Sequence, residues 1–173
     1  NCRPHEAIGD IGSMWAELVA GITNPKPWPP ELLERRRAAF ECVPLASTNG
    51  VSPLRLVEEL RSVFPRDGIA TCDVGSHKLV MGQFWRSYEP GTFLMSNGLS
   101  GMGFGIPAAI AAQLVSPEKA VLAVVGDGGM LMMLNDLALI RELALPVIIV
   151  VLFDCSLSLI RFAAERSGFL PLG

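Results

Sequence analysis

Hydrophobic positions follow two different rhythms along this chain. Between Ile11 and Ile22 they recur at helical spacing, with Met14, Leu18 and Ile22 on one face. From Val51 onward, short apolar runs alternate with amphipathic stretches. Ala120 to Val125 and Val147 to Phe153 are apolar at every position, which predicts strands buried on both faces. Gly68 to Val74 predicts another strand and Phe93 to Met95 a short one. Helices are predicted over Lys78 to Trp85, Gly101 to Leu114 and Met132 to Leu143. A further helix is signalled by Ser52 as cap and Pro53 at the first helical position, with Leu56, Leu60 and Val63 as its buried stripe. Strands alternating with helices mean βαβ units. The expected fold is α/β, a three-layer αβα arrangement around a mainly parallel sheet, with a right-handed crossover from Val125 to Val147.

The segment Asn24 to Pro30 carries four prolines in seven residues and reads as an extended linker. A charged helix over Glu31 to Phe40 and a loop over Pro44 to Val51 follow. A domain boundary is placed near residue 45, separating residues 1–44 from a main domain at 45–173.

Composition sharpens this picture by exclusion. Half of the 173 residues are hydrophobic and 18% are charged. Yet the longest apolar stretch, Leu143 to Phe153, contains a proline and falls short of the roughly 20 residues that span a bilayer. A sheet covered on both faces accounts for the apolar excess, and no membrane partner is expected. The net charge of −3, without a basic stripe interleaved with aromatics, gives no reason to expect nucleic acid. Arg35-Arg36-Arg37 reads as a solvated helix face. Cys2, Cys42, Cys72 and Cys155 form no CxxC pair, so a reducing, cytoplasmic setting is expected rather than a zinc site or disulfide framework. The chain opens without a secretory apolar region, and both of its ends read as cuts.

Ligands of an open parallel sheet bind beyond the carboxyl ends of its strands. Asp127 follows one predicted strand and Asp154 the next, with 25 residues between Gly128 and Asp154, enough for one helix and one strand to return to the same edge. The two carboxylates should therefore converge. Left alone they would repel and raise each other's pKa; a hard divalent cation removes the conflict, and Mg2+ favours carboxylates together with phosphate oxygens. Gly126, Gly128 and Gly129 allow a sharp turn that exposes backbone N–H groups to an anion. Taken alone, Gly126-Asp127-Gly128 fits a capped β-to-α turn equally well. No Gly-Lys-Ser/Thr of a P-loop exists, and Gly101-Met102-Gly103-Phe104-Gly105 misses the last glycine of a dinucleotide fingerprint, where Ile106 stands.

The run from Ser96 to Ala112, followed by Val124-Val-Gly-Asp-Gly-Gly-Met-Leu-Met132, resembles the thiamin-diphosphate-dependent 2-oxo-acid decarboxylase and carboligase family, acetolactate synthase large subunits above all. The resemblance covers about Val51 to Arg161, while residues 1–22 look like the tail of that family's middle domain. It implies the thiamin-diphosphate-binding fold, with thiamin diphosphate and Mg2+ as cofactors. Asp127 and Asp154 would be metal ligands, joined by the main-chain carbonyl of Ser156. The family usually carries an asparagine pair where Phe153-Asp154 stands here, a departure that bears on metal affinity and preference. Asp73-Val-Gly-Ser-His77 resembles the second diphosphate loop, with Gly75 giving backbone access and Ser76 and His77 as donors; a structural histidine is the other reading. Met102 resembles the apolar wedge beneath the bent cofactor, or else a core filler.

What the resemblance implies for the whole protein is decarboxylation of a pyruvate-like 2-oxo acid and transfer of the acyl carbanion to an acceptor. Simple decarboxylation and a non-catalytic cofactor-binding or dimerisation remnant are the alternatives. The family's catalytic glutamate belongs to a pyrimidine-binding domain contributed by a partner subunit of a homodimer or homotetramer. Glu58, Glu59 and Glu89 fall in the wrong domain for it. No catalytic residue is therefore assigned here, the isolated polypeptide is expected to be inert, and the last elements of the domain are expected to be missing after Gly173, leaving an apolar edge. Leu157 and Leu159 beside the metal loop suit a small or apolar acceptor, or plain core packing.

Overall fold

The computed structural model describes residues 10–41 and 50–170. Two compact units are present, Asn1–Pro44 and Leu45–Gly173. In the first, α1 (Ile11–Gly21) starts at Asp10, whose carboxylate accepts from the backbone N–H of Ser13 at 2.9 Å, a standard N-cap. None of its residues is buried, and Leu18 and Ile22 are exposed. After the proline-rich stretch comes α2 (Pro30–Glu41), on which Arg35 and Arg36 are exposed. His5, Cys2 and Cys42 lie outside the described residues.

The second unit alternates strand and helix: α3 (Pro53–Val63), β1 (Ile69–Cys72), α4 (Ser76–Phe84), β2 (Phe93–Met95), α5 (Gly105–Val115), β3 (Val121–Gly126), α6 (Asp127–Met132), α7 (Asp136–Glu142), β4 (Val147–Leu152) and α8 (Ser158–Arg166). The four strands form one sheet in the order β2-β1-β3-β4, and every pairing is parallel. The unit is thus the expected three-layer α/β fold.

Side-chain alternation divides its core in two. Ala70, Cys72, Leu122 and Val124 meet Val57 and Phe64 from α3 and its end, with Met81 and Trp85 from α4 and its end. Ile69, Val121, Ala123 and Val125 point the other way, onto Ile106, Ala109, Ile110 and Ala112 of α5. The central strand β3 is the best covered, with Val121 to Val125 each at most 1% exposed. At about 1.5–3 kcal/mol per large apolar side chain, this two-sided burial is what anchors the sheet. Among the described residues no helix is long and apolar enough to cross a membrane.

Several expectations are corrected. The buried stripe of α3 is Val57, Leu60 and Phe64, not Leu56, Leu60 and Val63; Val63 is 81% exposed because the sheet lies one helical position around. Ser52 precedes α3 without a side-chain capping bond. The helix expected from Gly101 starts only at Gly105, since Gly103 takes a positive φ of 89° that breaks the helical path. The helix expected over Met132 to Leu143 is two helices, and the first begins at Asp127 itself.

Candidate functional site

All strands being parallel, their carboxyl ends share one edge of the sheet, and four loops gather there: Asp73–Gly75 after β1, Ser96–Phe104 after β2, the Gly126–Asp127 junction after β3, and Phe153–Leu157 after β4. Register aligns them, with Cys72 beside Val124 and Met95, and Gly126 beside Leu152.

Asp127 and Asp154 are brought to the same place. The Asp127 carboxylate accepts from the N–H of Gly128 at 2.8 Å and from that of Cys155, next in sequence to Asp154, at 3.1 Å. Cys155 reaches that position through a left-handed φ of 54°. Asp154 accepts from the N–H of Ser156 at 3.1 Å and from the hydroxyl of Ser158 at 2.5 Å, which ties it to the start of α8. Each carboxylate therefore has fixed orientation and retains lone pairs for a further ligand. Asp127, Gly128, Leu131, Cys155, Ser156 and Leu157 line an open pocket of about 220 Å³. The Gly128 amide is engaged by Asp127 itself, so the turn offers fewer free donors than its glycines suggest.

His77, on the first turn of α4, lies behind this pair. Its ring packs over Gly75 and Gly126: a β-carbon at Gly75 would stand 2.6 Å from ring Cε1, and one at Gly126 3.3 Å from it. That close approach, not backbone conformation, is what favours glycine at Gly75, while at Gly126 a β-carbon would make the ring give by a few tenths of an ångström. The residue is 5% exposed and its Nε2 is buried without a partner. Burial pushes the imidazole below its ordinary pKa of 6.5, opposed by Asp73 through charge and backbone, and then by the charges of Asp154 and Asp127. Ser76 opens α4 beside it, half-buried. Met102 is half-buried, and its ε-methyl would meet a β-carbon at Gly128 at 2.8 Å, which sets it against the Gly126–Gly129 turn. Gly129 is buried against the Asp73 carboxylate, which occupies the space a β-carbon would need. Among the described residues no three His, Cys, Asp or Glu side chains are placed to hold a metal ion together; two carboxylates plus a backbone carbonyl is a different donor set.

Two roles escaped the sequence reading. Asp73, quoted there only as the first residue of the Asp73–His77 motif, is 1% exposed and accepts from the backbone amides of Val74, Gly103 and Phe104. Lys78, one turn into α4, donates to the Ser96 carbonyl and the Ser100 hydroxyl, a link between loops that no local pattern announces. Cys72, the last residue of β1, is buried in the core, its thiol pushed up to about 12 by burial and then by the charge of Asp73.

A family model described as "Thiamine pyrophosphate enzyme, C-terminal TPP binding domain" matches residues 73–170. The chain is 39% identical over 110 residues to an acetolactate synthase of Bacillus subtilis, covering 64% of this chain and 19% of that protein. It is 31% identical over 173 residues to the acetolactate synthase isozyme 1 large subunit of Escherichia coli, 99% of this chain and 30% of that one. A probable acetolactate synthase large subunit of Methanocaldococcus jannaschii is 30% identical over 164 residues, 88% and 28% of the two chains. The chain thus spans less than a third of the length of these relatives.

Proposed function

The chain belongs to the thiamine pyrophosphate enzymes, as their C-terminal TPP-binding domain, and from that premise we propose that its strand-end site holds the magnesium-bridged diphosphate of thiamin diphosphate. The observation that carries this is the meeting of the β3 and β4 loops, where the Asp127 carboxylate accepts from the N–H next to Asp154 beside an open pocket, with the His77 ring packed over Gly126. The donor set suits the group: Asp127, Asp154 and the Ser156 carbonyl are hard oxygen ligands for Mg2+. Gly75, Ser76, His77, Gly126, Gly128 and Gly129 would surround the diphosphate, and Met102 would support the cofactor from below.

When bound, the cofactor supplies a nucleophilic thiazolium carbon and takes up the electrons released when a 2-oxo acid loses CO2. The residues of this chain bind and orient. The carboxylates fix the metal, and His77, kept neutral by burial, gives a hydrogen bond without adding charge. Residues 45–173 are read as this domain, and 1–44 as a neighbouring domain's tail with a proline-rich linker. For the whole protein the reading is an acetolactate synthase-like carboligase, acting on a 2-oxo acid as a homodimer or homotetramer. The acid–base glutamate would come from a partner subunit's pyrimidine-binding domain. Glu59 and Glu89 lie on the surface, in exposed ion pairs with Arg55 and Lys119.

Titration calorimetry with thiamin diphosphate and Mg2+ tests the binding claim. Saturable, metal-dependent heat is expected, and its absence from both this chain and a longer protein containing it would defeat the reading. Pyruvate consumption by this chain alone should stay at the blank.

A further inference from the structure

The Ser96–Phe104 loop is fastened on both sides of Met102 by two oppositely charged side chains from one short stretch, Asp73 and Lys78. On one side, Asp73 Oδ1 accepts from the N–H groups of Val74 at 2.8 Å, Gly103 at 3.0 Å and Phe104 at 3.0 Å, and Oδ2 accepts from Gly103 at 3.1 Å. On the other, Lys78 Nζ donates to the Ser96 carbonyl at 2.5 Å and to the Ser100 hydroxyl at 2.9 Å, and Ser100 in turn donates to Ser96 O at 3.2 Å. Between these pins stands Met102, followed by Gly103 at a φ of 89°.

A turn of this kind does not require a buried charge. A carboxylate that is 1% exposed and has no ion-pair partner among the described residues is costly to keep. What it provides is direction, since three amides converge on one oxygen and fix the backbone on the carboxyl side of Met102. The same carboxylate fills the space beside Gly129, joining the loop to the turn that carries Asp127. Lys78 completes the arrangement from the amino side, where Ser100 holds a left-handed φ of 53° that the contact helps to maintain.

We propose that Asp73 and Lys78 are positioning residues for the cofactor, acting through the Ser96–Phe104 loop to hold Met102 against Gly128. This rests on reading the site as one for thiamin diphosphate. Its test uses the full chain labelled with 13C at the methionine methyls, the Met102 signal being identified by its loss in Met102→Leu. In the cofactor-free protein, Asp73→Asn and Lys78→Ala should both shift or broaden that signal. In calorimetry, both should bind magnesium thiamin diphosphate about tenfold more weakly or worse, the loss expected for one charge-assisted bond. Lys78→Arg, which keeps a charged donor, should recover most of both. If Asp73→Asn does not fold, Lys78→Ala at the rim decides the matter. An unmoved Met102 signal overturns the proposal, as does a lowered melting temperature with unchanged affinity, which would make the two residues merely structural. Failure of the unsubstituted chain to bind the cofactor strikes instead at the reading of the site, and the methyl comparison still decides whether the pins hold Met102.

Discussion

The imidazole of His77 closes over Gly126 so tightly that its Cε1 would stand 3.3 Å from a β-carbon there, with Nε2 sealed from water and unpaired. A ring held this way resists protonation, and its pKa falls below 6.5. The unfolded chain then binds the proton more readily than the folded one, so stability rises with pH across that interval. His77 accordingly contributes stability that is intact above about pH 6.5 and is lost as the pH falls toward the lowered folded value. Melting temperatures of the cofactor-free chain from pH 7.5 down to 5, about the range over which histidines titrate, should show this decline. His77→Gln should flatten it; an identical slope in the variant would remove His77 as the cause.

Gly129→Ala should be among the most damaging small substitutions. The added methyl would fall inside the Asp73 carboxylate, which cannot retreat without releasing three amides. Overpacking of this kind costs about 1–3 kcal/mol. Denaturant unfolding measures it, and a loss well under 0.5 kcal/mol, the usual scatter of surface changes, would mean the carboxylate is free to move.

Asp127→Ala should leave the fold standing and abolish metal-dependent cofactor binding. The carboxylate is only half-buried and its two amide partners lie near solvent, so about 1 kcal/mol of stability is at stake. Calorimetry with and without Mg2+ separates the effects. Unchanged affinity would show that Asp127 is not a metal ligand.

Cys155 and Cys72 should react at very different rates. Cys72 is buried with its thiol pushed up to about 12, whereas Cys155 is exposed on the rim of the pocket that includes Asp127 and Ser156. A maleimide should modify Cys155 readily and Cys72 only on unfolding. Adding Mg2+ and thiamin diphosphate should slow the Cys155 reaction, followed as the difference from Cys155→Ser. Equal rates with and without the cofactor would place it elsewhere.

Much of this architecture was legible in the order of residues, because a strand buried on both faces has no choice but to be apolar at every position. Val121 to Val125 declared themselves in this way. The equally apolar Val147 to Phe153, expected to be buried on both faces, instead supplies the edge strand β4, with Ile148 50%, Val151 42% and, just past the strand, Phe153 75% exposed. Nothing in apolar content separates an edge from a centre. Convergence of the Asp127 and Asp154 loops followed from counting residues around one crossover. What stayed hidden depended on neighbours distant in sequence. Val63 and Phe64 are both apolar, and only the sheet decides which of them is covered. Nothing local marks Asp73 as an anchor until Gly103 and Phe104, thirty residues on, point their amides at it.

The two carboxylates hang from strands of unequal cover. Asp127 follows β3, whose residues from Val121 to Val125 are all but sealed, whereas Asp154 follows β4, where Ile148 is 50% and Val151 42% exposed. Local opening free energy tracks such cover, so the β4 side of the pair should exchange its amide protons sooner. An ion held by both acids would lend the firmness of the inner strand to the outer one, and hydrogen exchange would slow at β4 far more than at β3. The metal would then serve as a rivet between a fixed wall and a swinging one.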